Sequence, residues 1–168
     1  KILFSNLGYA RGMNGSLSHH VAYSHRYIYC SPQIQRKQLH KVAALIEQEQ
    51  PDICCLVEID KGSSNSGNFN QLEQLINQTY AFSDIENKYG HFSWWHTFHF
   101  TRGKSNAFLA NKPYHFERLY FTHGVKKLIY RITLEEGLTL YFAHFSLKYP
   151  VRLQQLQQTA ELVSQTQG

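Results

Sequence analysis

The sequence is poor in cysteine, in aspartate and in long apolar runs, and each shortage removes a class of protein. Three cysteines, two of them adjacent (Cys54, Cys55), make neither a disulfide framework nor a zinc ligand set. They suit a reducing compartment, and the cytoplasm is the expected location, although the chain opens on Lys1 without Met and leaves an upstream signal open. No run of eighteen apolar residues occurs, so no membrane-spanning helix is expected. Charged residues reach only 17%, which argues against a disordered or coiled-coil chain. What is abundant is aromatic: eleven Tyr and eleven Phe in 168 residues, a packed globular composition of one-domain size.

Acid is also unevenly placed. Residues 1–46 hold no Asp or Glu yet carry Lys1, Arg11, Arg26, Arg36, Lys37 and Lys41. A second basic stretch, 101–131, sets seven Lys and Arg against the single Glu117, while the formal charge of the chain is +5. A one-signed surface concentrates counter-charged ligands, so an anionic partner is expected; a merely solubilising basic face is the alternative. The basic residues are dispersed, unlike a polybasic membrane or nuclear-import motif.

Strands alternate with amphipathic helices. Residues 1–6 form a short apolar strand, followed by a loop from Gly8 to about Cys30. Ser31-Pro32 opens a helix over about 32–49 with Ile34, Leu39, Val42, Ala43 and Ile46 on one face, ended by Pro51. Ile53 to Val57 reads as a strand buried on both faces. A shorter helix is expected to carry Phe69, Leu72, Leu75 and Ile76. Strands are expected at 107–110 and 116–121, then a hairpin of about 127–134 and 138–146 turning at Glu135-Glu136-Gly137. Leu153, Leu156, Ala160 and Val163 mark a closing helix. The order predicts an α/β fold with mixed sheets flanked by helices, in one domain over 1–168.

Three strands end in polar residues in phase with their apolar neighbours. Ile2 and Phe4 share a face with Asn6, Cys54 and Leu56 with Glu58, and Leu138, Leu140 and Phe142 with His144. An Asn, a Glu and a His are thereby expected to converge on one rim of the sheet, where α/β proteins place their sites. Each also has a simpler reading: a turn former, a solvent-facing carboxylate and a core histidine.

These residues carry a resemblance. Lys1 to Leu7 resembles the opening strand of the endonuclease/exonuclease/phosphatase superfamily, which ends in Asn. Pro51 to Ile59 resembles its second motif, a strand ending in Gln-Glu. Lys104-Ser105-Asn106-Ala107-Phe108-Leu109-Ala110 is similar to its Gly-Asn-Ala-Ile-Leu-Ser stretch, and Ala143 to Leu147, with Arg152 and Gln155, to its Thr-His-Leu motif and following helix. The resemblance implies part of a four-layer α/β sandwich. It also implies divalent-metal-dependent phosphoester hydrolysis with Mg²⁺, or Mn²⁺ in its place, by a phosphodiesterase or nuclease. Glu58 then matches the metal ligand, a hard oxygen donor for a hard cation. Asn6 matches the Asn that orients the phosphate, and His144 the His that bonds a phosphoryl oxygen or assists the leaving group. Asn106, Arg11, Arg102 and Lys104 are candidates for substrate contact. A phosphate-containing substrate is implied, with nucleic acid favoured.

Departures accompany the match. Val57 stands where the family has Gln, and Ala143 where it has Thr. The later Gly-Asp-x-Asn and Ser-Asp-His motifs, which carry the activating Asp and a phosphate-contacting His, are absent. The expectation is an incomplete domain, the N-terminal two-thirds or so, inactive alone and enzymatic when full length. The alternative is a binding module with the same fold that recognises a nucleic acid or another phosphorylated ligand. A lipid phosphodiesterase acting at a membrane surface would need an anchor that the sequence does not show. The stretch His91 to Phe100 reads as an aromatic loop over the sheet, with base stacking or a transition metal on His96 and His99 as alternatives. His19, His20 and His25 lack the Cys or Asp company of a metal site, and the three cysteines read as core residues.

Overall fold

Alternating short apolar runs and one long amphipathic segment give ten elements in the computed structural model, which describes residues 1–168 except 14, 91–97, 135–136 and 167–168. In chain order they are β1 (Ile2–Asn6), α1 (Leu17–Ala22), α2 (Pro32–Glu49), β2 (Ile53–Asp60), β3 (Phe82–Asn87), β4 (Lys104–Ala110), β5 (His115–Tyr120), β6 (Leu128–Thr133), β7 (Thr139–Ala143) and α3 (Tyr149–Thr166). Pro32 starts α2 at a position that needs no amide donor, and Gln50 stops it in the left-handed region at φ 45°. The fold is mixed α/β, as the sequence predicts.

Two sheets form. The first has the order β1-β2-β4-β3, with β1 parallel to β2 and the other pairings antiparallel; the second is the antiparallel β5-β6-β7. Strand β2 is apolar on both faces because both are covered. Cys54, Leu56 and Leu109 meet Leu39 and Ile46 of α2, while Ile53, Cys55 and Phe108 meet Leu128, Tyr130, Ile132 and Phe142 of the second sheet. Tyr130 centres this second layer, stacked on Phe142 at 4.9 Å and edge-on to Phe108 at 5.6 Å. Each such buried side chain contributes about 1.5–3 kcal/mol of transfer free energy. Helix α3 closes the far side: the Tyr141 hydroxyl donates to the Leu162 carbonyl, and buried Gln155 bonds Ser146, His123 and Lys126. Among the described residues no helix is long and apolar enough to cross a membrane.

Strand β1 lies at an edge. Ile2 and Phe4 pair with Ile53 and Cys55 and so face the second sheet, yet they are 47% and 59% exposed. The second sheet does not reach over them.

Several expectations are corrected. The short helix around 69–76 is only a single 3-10 turn, Leu72–Gln74. Asn70 and Asn77 accept local backbone N–H bonds on either side of it, which competes with helix formation. The loop after β1 contains α1, and β3, a polar edge strand, was not expected at all. Strand β2 continues to Asp60. In the closing helix the most buried side chain is Gln155, while Leu153 and Leu156 stay nearly half exposed. The hairpin pairs as expected, with Gly137 at φ 78°; Glu135 and Glu136 lie outside the described residues. Cys54 and Cys55 point to opposite faces, and burial pushes both thiols up to about 12.

Candidate functional site

Glu58 sits on a β-bulge. Val57 pairs with Asn106 and Ile59 with Ser105, leaving Glu58 without a partner and in the left-handed region at φ 56°. The bulge corrects the alternation argument. In a regular strand Glu58 would follow Cys54 and Leu56 toward α2, on the opposite face from Asn6. The extra residue instead puts Ile59 on the α2 side and frees the Glu58 carboxylate toward His144. Asn106, expected to touch substrate, is buried and holds the bulge: its Oδ1 accepts the Glu58 N–H at 3.4 Å.

His144 follows β7 in phase with Leu140 and Phe142, as expected. Its Nδ1 is 3.7 Å from Glu58 Oε1, and its Nε2 is 2.7 Å from Lys126 Nζ. An ammonium only donates, so Nε2 accepts and the ring proton resides on Nδ1, facing Glu58. Burial first, then Lys126, push His144 down to about 4, against the pull of Glu58. The imidazole is therefore neutral at pH 7.

Tyr9 and Lys88 complete the surroundings, and sequence reasoning missed both, along with Lys126. Gly8, Tyr9 and Ala10 are all left-handed, at φ 51°, 58° and 52°, with the turn tied by the Gly8 N–H to Asn6 Oδ1 at 3.0 Å. This strained turn drives the Tyr9 ring inward, where Lys104 Nζ is 4.1 Å, Arg11 4.7 Å and Lys88 Nζ 4.9 Å from its centroid. Lys88 Nζ donates to the Tyr9 hydroxyl. Burial pushes Lys88 down to about 8, and burial with nearby Glu58 raises the Tyr9 hydroxyl above its ordinary value. The only sequence signal for these residues was the basic stretch around Lys126; nothing local marks Tyr9 or Lys88.

The remaining candidates separate. Lys104 is buried in an ion pair with Asp60 at 2.8 Å, so it supports the loop rather than offering a free charge to substrate. Burial raises the Asp60 carboxyl, but Lys104 and the bonds from Ser63 outweigh it and hold the group below the usual carboxylate range. Arg11 is stacked between the rings of Tyr9 and Tyr27, 4.7 Å from each. Arg102 is exposed, and its carbonyl accepts from Asn87. Most of the aromatic stretch (His91 to Thr97) lies outside the described residues. His20 pairs with Tyr27 through Nδ1 at 2.6 Å.

Asn6 and Glu58 line the same cavity, of about 410 Å³, bounded on its other sides by the loop after β1, by His20 of α1 and by Gln38 and Lys41 of α2. Glu58 and the Asn6 carbonyl are hard oxygen donors on one open wall. Among the described residues no group of three His, Cys, Asp or Glu surrounds a common point. That donor set fits a hydrated Mg²⁺ held through one carboxylate and a substrate phosphate, and does not fit an all-protein cage or a zinc site. No protein-family model matches the chain, and no curated protein matches it.

Proposed function

We propose that this chain carries the phosphate-binding side of a metal-assisted phosphoesterase of the endonuclease/exonuclease/phosphatase kind, with nucleic acid as the favoured substrate. The layered pair of sheets supports that fold assignment. The observation that carries the function is the Glu58 carboxylate, on an open cavity with Asn6, 3.7 Å from a neutral His144 and within electrostatic reach of Lys126 and Lys88. Glu58 and Asn6 would hold the Mg²⁺. When bound, the ion withdraws charge from the phosphoryl group as a Lewis acid.

The protein's own groups have distinct parts. Asn6 orients the phosphate from the end of β1. His144, protonated at Nδ1 and engaged at Nε2, keeps an unpaired N–H on its Glu58-facing edge that serves as a donor rather than a proton acceptor. Lys126 fixes that tautomer and, with Lys88, offsets charge on the phosphoryl oxygens. Buried amides and the Lys104–Asp60 pair keep the bulge and the turn in place. The three free thiols fit a reducing, cytoplasmic setting.

A second reading, a non-catalytic module that binds phosphorylated ligands, is favoured by the single carboxylate among several cations. Hydrolysis of bis-p-nitrophenyl phosphate and of a short DNA by the full-length protein, with and without Mg²⁺, tests the first. Glu58→Gln should lower the Mg²⁺-dependent rate by about 100-fold or more; an undiminished rate would sink the metal-ligand role. A full-length protein that hydrolyses neither substrate, yet binds a 5′-phosphorylated oligonucleotide without Mg²⁺, supports the binding module.

A further inference from the structure

The cavity beside Glu58 extends well past the atoms needed to hold one phosphate. Its volume of about 410 Å³ falls within the ~300–1,000 Å³ of small-molecule sites. Asn6 and Glu58 line it from the strands β1 and β2; His20, Gln38 and Lys41 line it from the helices α1 and α2. Among the described residues Glu58 is the only acid on its walls, and every other lining residue comes from the acid-free stretch 1–46. The strand side and the helix side therefore differ in charge: a carboxylate on one, and Lys41 with a histidine and an amide on the other.

Lys41 is exposed on α2, and among the described residues no carboxylate lies within ion-pair distance of it. His20 is anchored by Tyr27 through Nδ1, which leaves Nε2 as the ring nitrogen for a ligand. Gly12 keeps that side open. A Cβ there would lie 3.0 Å from Gln38 Nε2 and 3.2 Å from an Arg26 guanidinium nitrogen, so the missing side chain leaves both donors their place beneath the loop.

We propose that this helix side of the cavity is a subsite for a second phosphate. The substrate is then a phosphoester carrying another phosphate one nucleotide unit away, as a nucleoside 3′,5′-bisphosphate or a nucleic-acid strand does. Charge assigns the sides: the reacting phosphate would meet Glu58 only through the cation held there with Asn6, and its neighbour sits directly at Lys41 and His20. The aliphatic side of the cavity, from Leu39 and Val42, takes the apolar surface between the two phosphates. The assignment rests on the phosphoesterase reading for its first phosphate but makes its own prediction for the second.

Calorimetric titration in Mg²⁺ with thymidine 3′,5′-bisphosphate and thymidine 5′-monophosphate tests it without requiring turnover. The bisphosphate should bind at least tenfold more tightly to the wild-type chain. Lys41→Ala should bring the two affinities within about twofold, and Lys41→Arg should restore the gap. Lys41 is exposed, so neither change threatens folding. A bisphosphate that binds no tighter than the monophosphate, or a gap that survives Lys41→Ala, overturns the subsite. Tetrathymidylate separates the sources: affinity well above that of the bisphosphate assigns the subsite to a strand, and equal affinity assigns it to the free nucleotide. Monophosphate binding indifferent to both Mg²⁺ and Glu58→Gln would remove the metal reading while leaving the subsite result standing.

Discussion

Asp60 is fully buried and accepts from Lys104, from the Ser63 hydroxyl and from two backbone amides, so its charge is compensated only while all of them remain. Asp60→Asn strands the Lys104 ammonium, and urea unfolding should show a loss of about 3–5 kcal/mol; adding Lys104→Met should recover much of it. Because the folded carboxyl lies below its ordinary value, its contribution is present above that value and lost as pH falls through the folded one. His144 makes a spectroscopic prediction instead. Long-range ¹H–¹⁵N correlation at pH 7 should show a neutral ring protonated at Nδ1, titrating near 4; a proton on Nε2 would contradict donation from Lys126. Glu58→Gln removes the one group pulling that midpoint upward and should lower it further. Glu58 and His144 were legible because each is a polar residue closing an apolar run. Tyr9 and Lys88 were not: they are 79 residues apart, and only the left-handed turn brings them together.

Elements set these positions, and the bulge in β2 shows how far a period-two pattern reaches. Alternation reads Cys54 and Leu56 correctly as one face, and fails at Glu58 because one unpaired residue inverts everything beyond it. The long helix α2 was legible to the residue because proline, an amphipathic stripe and a stop coincide. Strand β3 was hidden because FSDIEN carries little apolar pattern; its place on the edge comes from pairing with β4. The turn before β4 is equally context-dependent. A Cβ on Gly103 would collide with the Asp60 carboxylate and the backbone N of Ser63. Gly103→Ala should therefore cost about 1–3 kcal/mol in thermal or urea unfolding, although the residue needs no unusual φ.

At the scale of the molecule, the two sheets of the described residues are unequal, four strands against three, and β1 extends beyond the cover of its partner. Phe4 lies on that uncovered face, so Phe4→Ser should change stability by no more than about 0.5 kcal/mol while lowering the fluorescence of a bound apolar dye. An unchanged dye signal would place the dye elsewhere. The α/β class was legible from the order of elements; the unequal sheets were not, since strand partners are chosen by packing rather than by local sequence. Charge has a whole-molecule effect as well. The cavity is walled almost entirely by a stretch with no acid, so a phosphorylated ligand is drawn toward it before any contact forms. Added salt should therefore slow ligand arrival far more than it hastens departure, making capture rate, rather than residence time, the quantity most exposed to ionic conditions.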